Sequence, residues 1–117
     1  MKKLIAIGLF FFVPYLMKAD GLVLNGVTGT GASLPVNAQK MPSIDAQIWS
    51  AAGSSATVLI ECRSYPDPAP WFPCYTITNP TPGGVYYTLP RAFQYRLNVT
   101  VYTSGTIYGT LVTYSNP

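Results

Sequence analysis

The sequence predicts an all-β protein, with a single small antiparallel β-sandwich of jelly-roll or immunoglobulin-like type after an N-terminal signal-like segment. Three observations support this fold class. Short runs rich in Thr, Tyr, Val, Ile and Trp alternate with clusters of Gly, Pro, Ser and Asn, a spacing typical of sandwiches. No apolar stripe with the 3.6-residue period of a helix follows residue 19. The 117 residues suffice for one domain.

Residues 1–19 have the pattern of a secretory signal. Lys2 and Lys3 precede an uncharged apolar run over residues 4–13, and Ala19 offers a small residue for cleavage. The run is shorter than the roughly 20 residues that span a bilayer. Met17 stands where a small residue is preferred, so a retained hydrophobic segment remains the alternative. We predict a signal peptide at 1–19, a β-sandwich domain at 20–117, and export to the periplasm, the extracellular space or a virion surface.

The charge of the domain itself is balanced. Three of the seven basic residues, Lys2, Lys3 and Lys18, precede Asp20, so residues 20–117 hold four basic and four acidic residues and a formal net charge of zero. Nucleic-acid binding needs clustered Lys and Arg to neutralise phosphates. We therefore predict no nucleic-acid partner. A net charge near zero instead favours self-association.

The first half of the domain predicts an N-terminal strand and two further strands. Residues 22–24 form a candidate strand, and a Gly- and Pro-rich loop follows with an extended edge piece near residues 34–36. Residues 44–50 alternate, with Ile44, Ala46 and Ile48 directed to the core. Residues 56–63 carry apolar side chains on both faces. Such a strand is either central in its sheet or faces a partner.

The second half predicts four strands joined by turns, over residues 71–78, 85–89, 93–102 and 106–114. The third of them alternates most regularly. The alternation predicts a core lined by Phe93, Tyr95, Leu97, Val99, Val101, Ile107 and Leu111. A three-residue loop ending at Gly105 predicts a hairpin that pairs Leu97 with Leu111. A two-residue loop of Ser104 and Gly105 gives the competing register.

Cys62 and Cys74 are predicted to form a disulfide. Three prolines within residues 66–70 predict a five-residue hairpin loop. In that register Cys62 lies opposite Cys74, and paired positions have Cβ atoms about 4.5–5.5 Å apart, close to disulfide range. An exported chain meets an oxidising environment. Two buried free thiols are the alternative.

The residue types needed for catalysis are scarce. The chain has no histidine, which is the commonest general base and metal ligand. Glu61 and Asp67 are near each other in sequence, but one lies in a strand and the other at a loop tip, which does not suit the carboxylate pair of a glycosidase. No acidic cluster supplies the oxygens of a calcium site. We predict no enzyme activity, no catalytic residues, no metal and no cofactor.

Aromatic side chains are the positive signal for binding. Tyr and Trp are enriched at binding surfaces because they bury a large area and keep a polar tip. Aromatic residues also suit strands, so Trp49 and Trp71 are expected to be mainly structural. The candidate ligand or partner contacts are Tyr65, Trp71, Phe72, Tyr86 and Tyr87.

Three stretches of the chain share patterns with a known family. The first is the run Ala-Thr-Val-Leu-Ile-Glu-Cys-Arg-Ser at 56–64, followed by Asp67 and Trp71. The second is the run Tyr-Arg-Leu-Asn-Val-Thr at 95–100, with Thr-Ser-Gly-Thr at 103–106, and the third is residues 29–33. They resemble, in this order, a strand with the turn after it, a hairpin and the N-terminal loop of small β-sandwich proteins of tailed-phage virions. The resemblance covers about residues 26–111. It departs at Pro68, where the family has glycine, and in the leader and the candidate disulfide.

The resemblance implies a virion structural or decoration protein with no catalytic residues to transfer. The first hypothesis is therefore a non-enzymatic subunit that acts through protein–protein contacts, as a homo-oligomer or docked on a larger assembly. The second is a secreted or cell-surface binding module, with carbohydrate as a candidate ligand. Membrane contact is expected only if the N-terminal segment is retained. A flat apolar sheet face would favour assembly, whereas exposed Tyr and Trp beside a groove would favour the binding module.

Overall fold

The computed structural model describes residues 18–38, 43–90 and 92–114, and within them the fold is all-β. Its strands are β1 (Lys18–Val27), β2 (Gly31–Ala32), β3 (Val36–Asn37), β4 (Ser43–Ser50), β5 (Ser55–Arg63), β6 (Phe72–Thr78), β7 (Val85–Leu89), β8 (Gln94–Ser104) and β9 (Ile107–Tyr114). The described residues contain no helix long and apolar enough to cross a membrane. The predicted fold class is confirmed.

Two antiparallel sheets form the sandwich. The first sheet has the order β1-β9-β4-β7, and the second has the order β2-β8-β5-β6, with β3 also paired to β8. The core lies between them and contains Ile44, Ala46, Ile48, Val58, Ile60, Tyr95, Leu97, Val99, Ile107 and Leu111. The predicted inward positions are confirmed at Ile44, Ala46, Ile48, Tyr95, Leu97, Val99, Ile107 and Leu111. The predicted two-sided strand β5 is central in its sheet, between β8 and β6.

The predicted burial of Val101, near one end of β8, is wrong. Val101 is 55% exposed, although Tyr95, Leu97 and Val99 are buried as expected. The cause is a bulge, because Val58 pairs with Val99 and Thr57 with Val101, which leaves Thr100 as an extra residue that reverses the alternation. Phe93 is half-buried and precedes β8 instead of lying within it.

The predicted hairpin between β8 and β9 is also wrong. β8 belongs to the second sheet and β9 to the first, so the turn at Gly105 crosses from one sheet to the other. Both sides of each strand are occupied by other strands. β8 lies between β5 and the short strands β2 and β3, and β9 lies between β1 and β4. Neither strand has an edge left to pair with the other.

The N-terminal strand begins inside the predicted signal. β1 starts at Lys18, and its ladder with β9 includes Lys18 with Thr113 and Ala19 with Val112. Cleavage after Ala19 would remove these two pairs and leave the ladder from Gly21 onward. The remainder of the predicted signal, residues 1–17, lies outside the described residues, so the signal peptide stays a prediction.

Candidate functional site

A disulfide between Cys62 and Cys74 ties β5 to β6, as predicted. The register around it differs from the prediction. Cys62 pairs with Phe72, and Cys74 lies in a bulge between the pairs formed by Ile60 and Glu61, with its Cα 6.3 Å from that of Cys62. The connection is longer than the predicted five residues, because β5 ends at Arg63 and β6 begins at Phe72. The bulge brings the two cysteines within bonding reach although they are not directly opposite.

The proline-rich loop at 64–71 is fixed to the second sheet by Arg63. Its Nη1 donates to the carbonyl oxygen of Ala69 at 3.2 Å and lies 3.6 Å from Asp67 Oδ1. Its Nε donates to Gln94 Oε1 at 2.8 Å. One guanidinium therefore contacts both the loop and the neighbouring strand, which limits the conformations open to the loop.

Trp71 lies against two arginines. The guanidinium carbons of Arg63 and Arg96 are each 4.4 Å from the centroid of its ring. Cations at this distance are attracted by the electron-rich face of an indole. Trp71 is half-buried.

Glu61 completes the charged network on this sheet. It is only 8% exposed, and Arg96 Nε donates to its Oε1 at 2.6 Å. Asn98 Nδ2 lies 3.3 and 3.4 Å from the two carboxylate oxygens. A buried carboxylate is tolerated when it is paired and hydrogen-bonded in this way. These contacts account for Glu61 as a structural ion-pair partner.

Two aromatic side chains project from the loop region. Tyr65 is 67% exposed and Phe72 is 66% exposed. Phe72 also borders a cavity of about 410 Å³, whose lining residues are Cys62, Arg63, Ser64, Ala69, Pro70, Phe72 and Ala92. Tyr65, Trp71 and Phe72 thus share one region, and their predicted contact role stays a prediction.

The other two predicted contacts, Tyr86 and Tyr87, lie on β7. Tyr87 stacks on Tyr75 of β6 with ring centroids 4.5 Å apart, so the pair bridges the edge strands of the two sheets. Tyr86 has the opposite orientation and is 60% exposed on the outer side of the first sheet. The five predicted residues therefore do not form one site.

A second surface covers the outer side of the first sheet. Trp49 on β4 and Tyr108 on β9 are cross-strand partners whose rings stack with centroids 5.5 Å apart. We define the aromatic face as the outward side chains Leu22, Asp45, Gln47, Trp49, Tyr86, Thr88, Tyr108, Thr110 and Val112. Asp45 is the single charged member of this set.

The chain matches no family model, no curated protein and no solved structure. Its function must therefore be argued from these two surfaces. Within the described residues no group of three or more His, Cys, Asp or Glu side chains could hold a metal ion.

The sequence alone does not reveal the Trp49–Tyr108 pair as part of one surface. Alternation placed Trp49 on the outward side, and the inward positions of Ile107 and Leu111 imply that Tyr108 is outward too. What the sequence could not supply was the pairing of β4 with β9, which brings the two rings together across more than fifty residues of chain.

Proposed function

We propose that the protein is an exported, non-enzymatic structural subunit that associates with further copies of itself through protein–protein contacts. The observation that carries this proposal is the difference between the two outer faces. The second sheet carries the paired charges of Glu61, Arg63 and Arg96, whereas the aromatic face has Asp45 alone.

The composition of the aromatic face suits a protein interface. Interface cores are enriched in Tyr and Trp and depleted of charged residues. Trp49 and Tyr108 are held together by stacking, so little conformational freedom is lost when a partner covers them. The domain at 20–117 has a formal net charge of zero, so there is little repulsion between copies.

The resemblance to tailed-phage virion proteins supports the same class of function. A decoration or structural subunit of a virion needs a compact domain that docks on an assembly, and it needs no catalytic centre. The departures at Pro68 and in the N-terminal segment leave the type of assembly open to experiment.

The disulfide is consistent with an oxidising, exported compartment. We extend this to removal of residues 1–19 and release to the periplasm, the extracellular space or a virion surface. Intact-mass analysis of the native protein tests the extension. A mass that begins at Asp20 supports cleavage, whereas a mass that includes residues 1–17 favours a retained hydrophobic segment.

Sedimentation velocity of the exported protein over a range of concentrations tests self-association. Gln47 is exposed at the centre of the aromatic face, so Gln47→Lys introduces a charge there without disturbing the core. We expect the wild type to associate and Gln47→Lys to weaken association by about tenfold or more. Thr76→Lys on the outer side of the second sheet is the matched control. A wild type that stays monomeric at all concentrations would contradict the proposal.

The cavity at the proline loop favours one alternative, a secreted or cell-surface module that binds carbohydrate. Its mouth is flanked by the exposed ring of Phe72, and an aromatic ring beside a concave surface suits the apolar face of a sugar. A monomer that binds an oligosaccharide array would favour this function. Phe72→Ala should then abolish binding, whereas the exposed Val101→Ala should not.

A further inference from the structure

The edges of the two sheets differ in how well they are protected. The first sheet ends in β1 and β7, and the second sheet ends in β6 and in the short strands β2 and β3. An edge strand presents unpaired backbone groups that can pair with another chain. Proteins that remain monomeric protect such edges with bulges, prolines, charges or very short strands.

Three of these edges carry such protection. The ladder of β1 with β9 is interrupted by three register shifts. β6 contains Pro73, and its pairing with β5 is shifted at the bulge that holds Cys74. β2 and β3 are two residues long each. None of the three offers a regular row of backbone groups to a partner.

β7 lacks every one of these features. Its sequence, Val-Tyr-Tyr-Thr-Leu, has no charge, no proline and no glycine, and it consists largely of residues that favour strands. It forms five successive pairs with β4 without a register shift. In the described part of the chain it is the outermost strand of its sheet, with no strand on its other side.

We propose that β7 pairs with β7 of a second copy in antiparallel orientation, about a two-fold axis at Tyr87. The first sheets of the two copies, four strands each, would become one continuous sheet. This inference rests on the proposed self-association and adds a second contact, at the edge of the first sheet, to the one proposed for the aromatic face.

The sequence of β7 is compatible with pairing to itself. An axis at Tyr87 places Val85 opposite Leu89 and Tyr86 opposite Thr88. The first pair is apolar, both members of the second pair carry a hydroxyl group, and no like charges are juxtaposed. A two-fold interface uses the same patch on both copies and closes at the dimer. Because Thr88 belongs to the aromatic face, this face would continue across the junction.

The stacking of Tyr87 on Tyr75 holds β7 in the extended conformation that strand pairing needs. The ring contact fixes β7 against β6 of the opposite sheet, with the centroids 4.5 Å apart. A strand already held in an extended conformation loses little entropy when a second strand is added. The main-chain hydrogen bonds then supply affinity, as in other cases of strand addition.

The test compares Thr88→Lys with the control Thr76→Lys in the exported, disulfide-bonded protein. Both threonines are exposed on edge strands, so the two variants gain the same charge at comparable positions. Lysine on an edge strand is a natural barrier to pairing. We expect Thr88→Lys to raise the dissociation constant in sedimentation velocity by about tenfold or more and Thr76→Lys to leave it unchanged. Because Thr88 also belongs to the aromatic face, the β7 pairing is supported only if the backbone amides of β7 become protected as well.

Hydrogen exchange of the wild-type protein provides a readout that does not depend on either variant folding. Amides of residues 85–89 should become more protected as the concentration rises. If the wild type associates but these amides do not change and Thr88→Lys associates equally well, the β7 pairing is wrong while the proposed function stands. A wild type that remains monomeric overturns both. Protection of β7 only after a different protein is added would assign the edge to that protein and overturn self-pairing.

Discussion

Gly109 of β9 faces Leu97 of β8 so closely that a Cβ atom on Gly109 would lie 2.4 Å from Leu97 Cδ1. The same Cβ would lie 3.3 Å from Cδ1 of Leu24. Leu97 is fully buried, so its side chain has little space into which it can move. The absence of a side chain at residue 109 allows the two sheets to approach each other where Leu97 fills the core.

Gly109→Ala is therefore expected to destabilise the domain by overpacking. Insertion of a methyl group into a packed core typically costs about 1–3 kcal/mol. Urea denaturation measures the change in the free energy of unfolding. The control is Gly29→Ala, because a Cβ on Gly29 would meet nothing within 4 Å.

The same substitution in a Leu97→Ala background should cost clearly less, because the methyl group would enter the space that Leu97 vacates. Residues in direct contact show such non-additivity. Equal costs in the two backgrounds would contradict the predicted clash.

Leu97→Ala and Val101→Ala should differ although both residues lie on β8. Leu97 is fully buried, so its truncation should cost about 2–5 kcal/mol. Val101 is 55% exposed, so its truncation should change stability by less than about 0.5 kcal/mol. Denaturation of both variants under the same conditions checks the difference. A large cost at Val101 would indicate that another chain covers it.

The Val101 result shows what alternation can predict from sequence. Period-two patterns identified the inward faces of β4, β8 and β9, because apolar side chains alternate with polar ones where a single face is buried. They did not do so for β5, which carries apolar side chains on both faces. A bulge is decided by backbone pairing with the partner strand, and the extra residue Thr100 has no distinctive sequence signal. The same limit applies to the turn at Gly105, where sheet membership depends on which strands already flank β8 and β9.

Tyr95 gives a prediction about alkaline pH. Burial, with a smaller contribution from Tyr75, raises its pKa to about 12, above the ordinary value near 10. Its hydroxyl donates to the carbonyl oxygen of Pro90. Because the folded state holds this proton more tightly, the stabilisation is complete below about pH 10 and is lost as the pH rises through about 12.

Tyr95→Phe should consequently be less stable than the wild type at neutral pH, by about 1 kcal/mol for the lost hydrogen bond. The difference should shrink as the pH rises from about 10 to about 12. Urea denaturation across this pH range measures it. Tyr65→Phe, which removes a phenol on a side chain that is 67% exposed, is the control. A difference that grows with pH would show that the direction assigned to the pKa shift is wrong.

The candidate site was less predictable than the fold. The disulfide could be predicted because the cysteine spacing and the predicted export both pointed to it. The contacts of Trp71 could not be predicted, because they bring together Arg63 of β5 and Arg96 of β8. These strands are adjacent in the sheet but far apart in sequence. Tyr65, in the proline-rich loop, and Tyr86, on β7, could be proposed as contacts from the sequence, but their separation onto two surfaces depends on the topology.

Arg96→Lys should make the proline-rich loop more mobile. Lysine keeps the positive charge, but it lacks the planar guanidinium that lies 4.4 Å from the Trp71 ring while its Nε binds Glu61. We expect a loss of about 1–2 kcal/mol in the free energy of unfolding, from the weakened cation–π contact and the altered hydrogen bond.

Limited proteolysis with chymotrypsin should separate this effect from general destabilisation. Cleavage after Trp71, which is followed by Phe72 and not by a proline, should accelerate in Arg96→Lys more than the change in global stability explains, since the loop loses one of the two cations that hold its ring. Asp67→Asn is the control, because its carboxylate is 91% exposed and the 3.6 Å pair with Arg63 should contribute less than about 1 kcal/mol. Equal cleavage rates in Arg96→Lys and the wild type would show that Arg63 alone is sufficient to hold the loop.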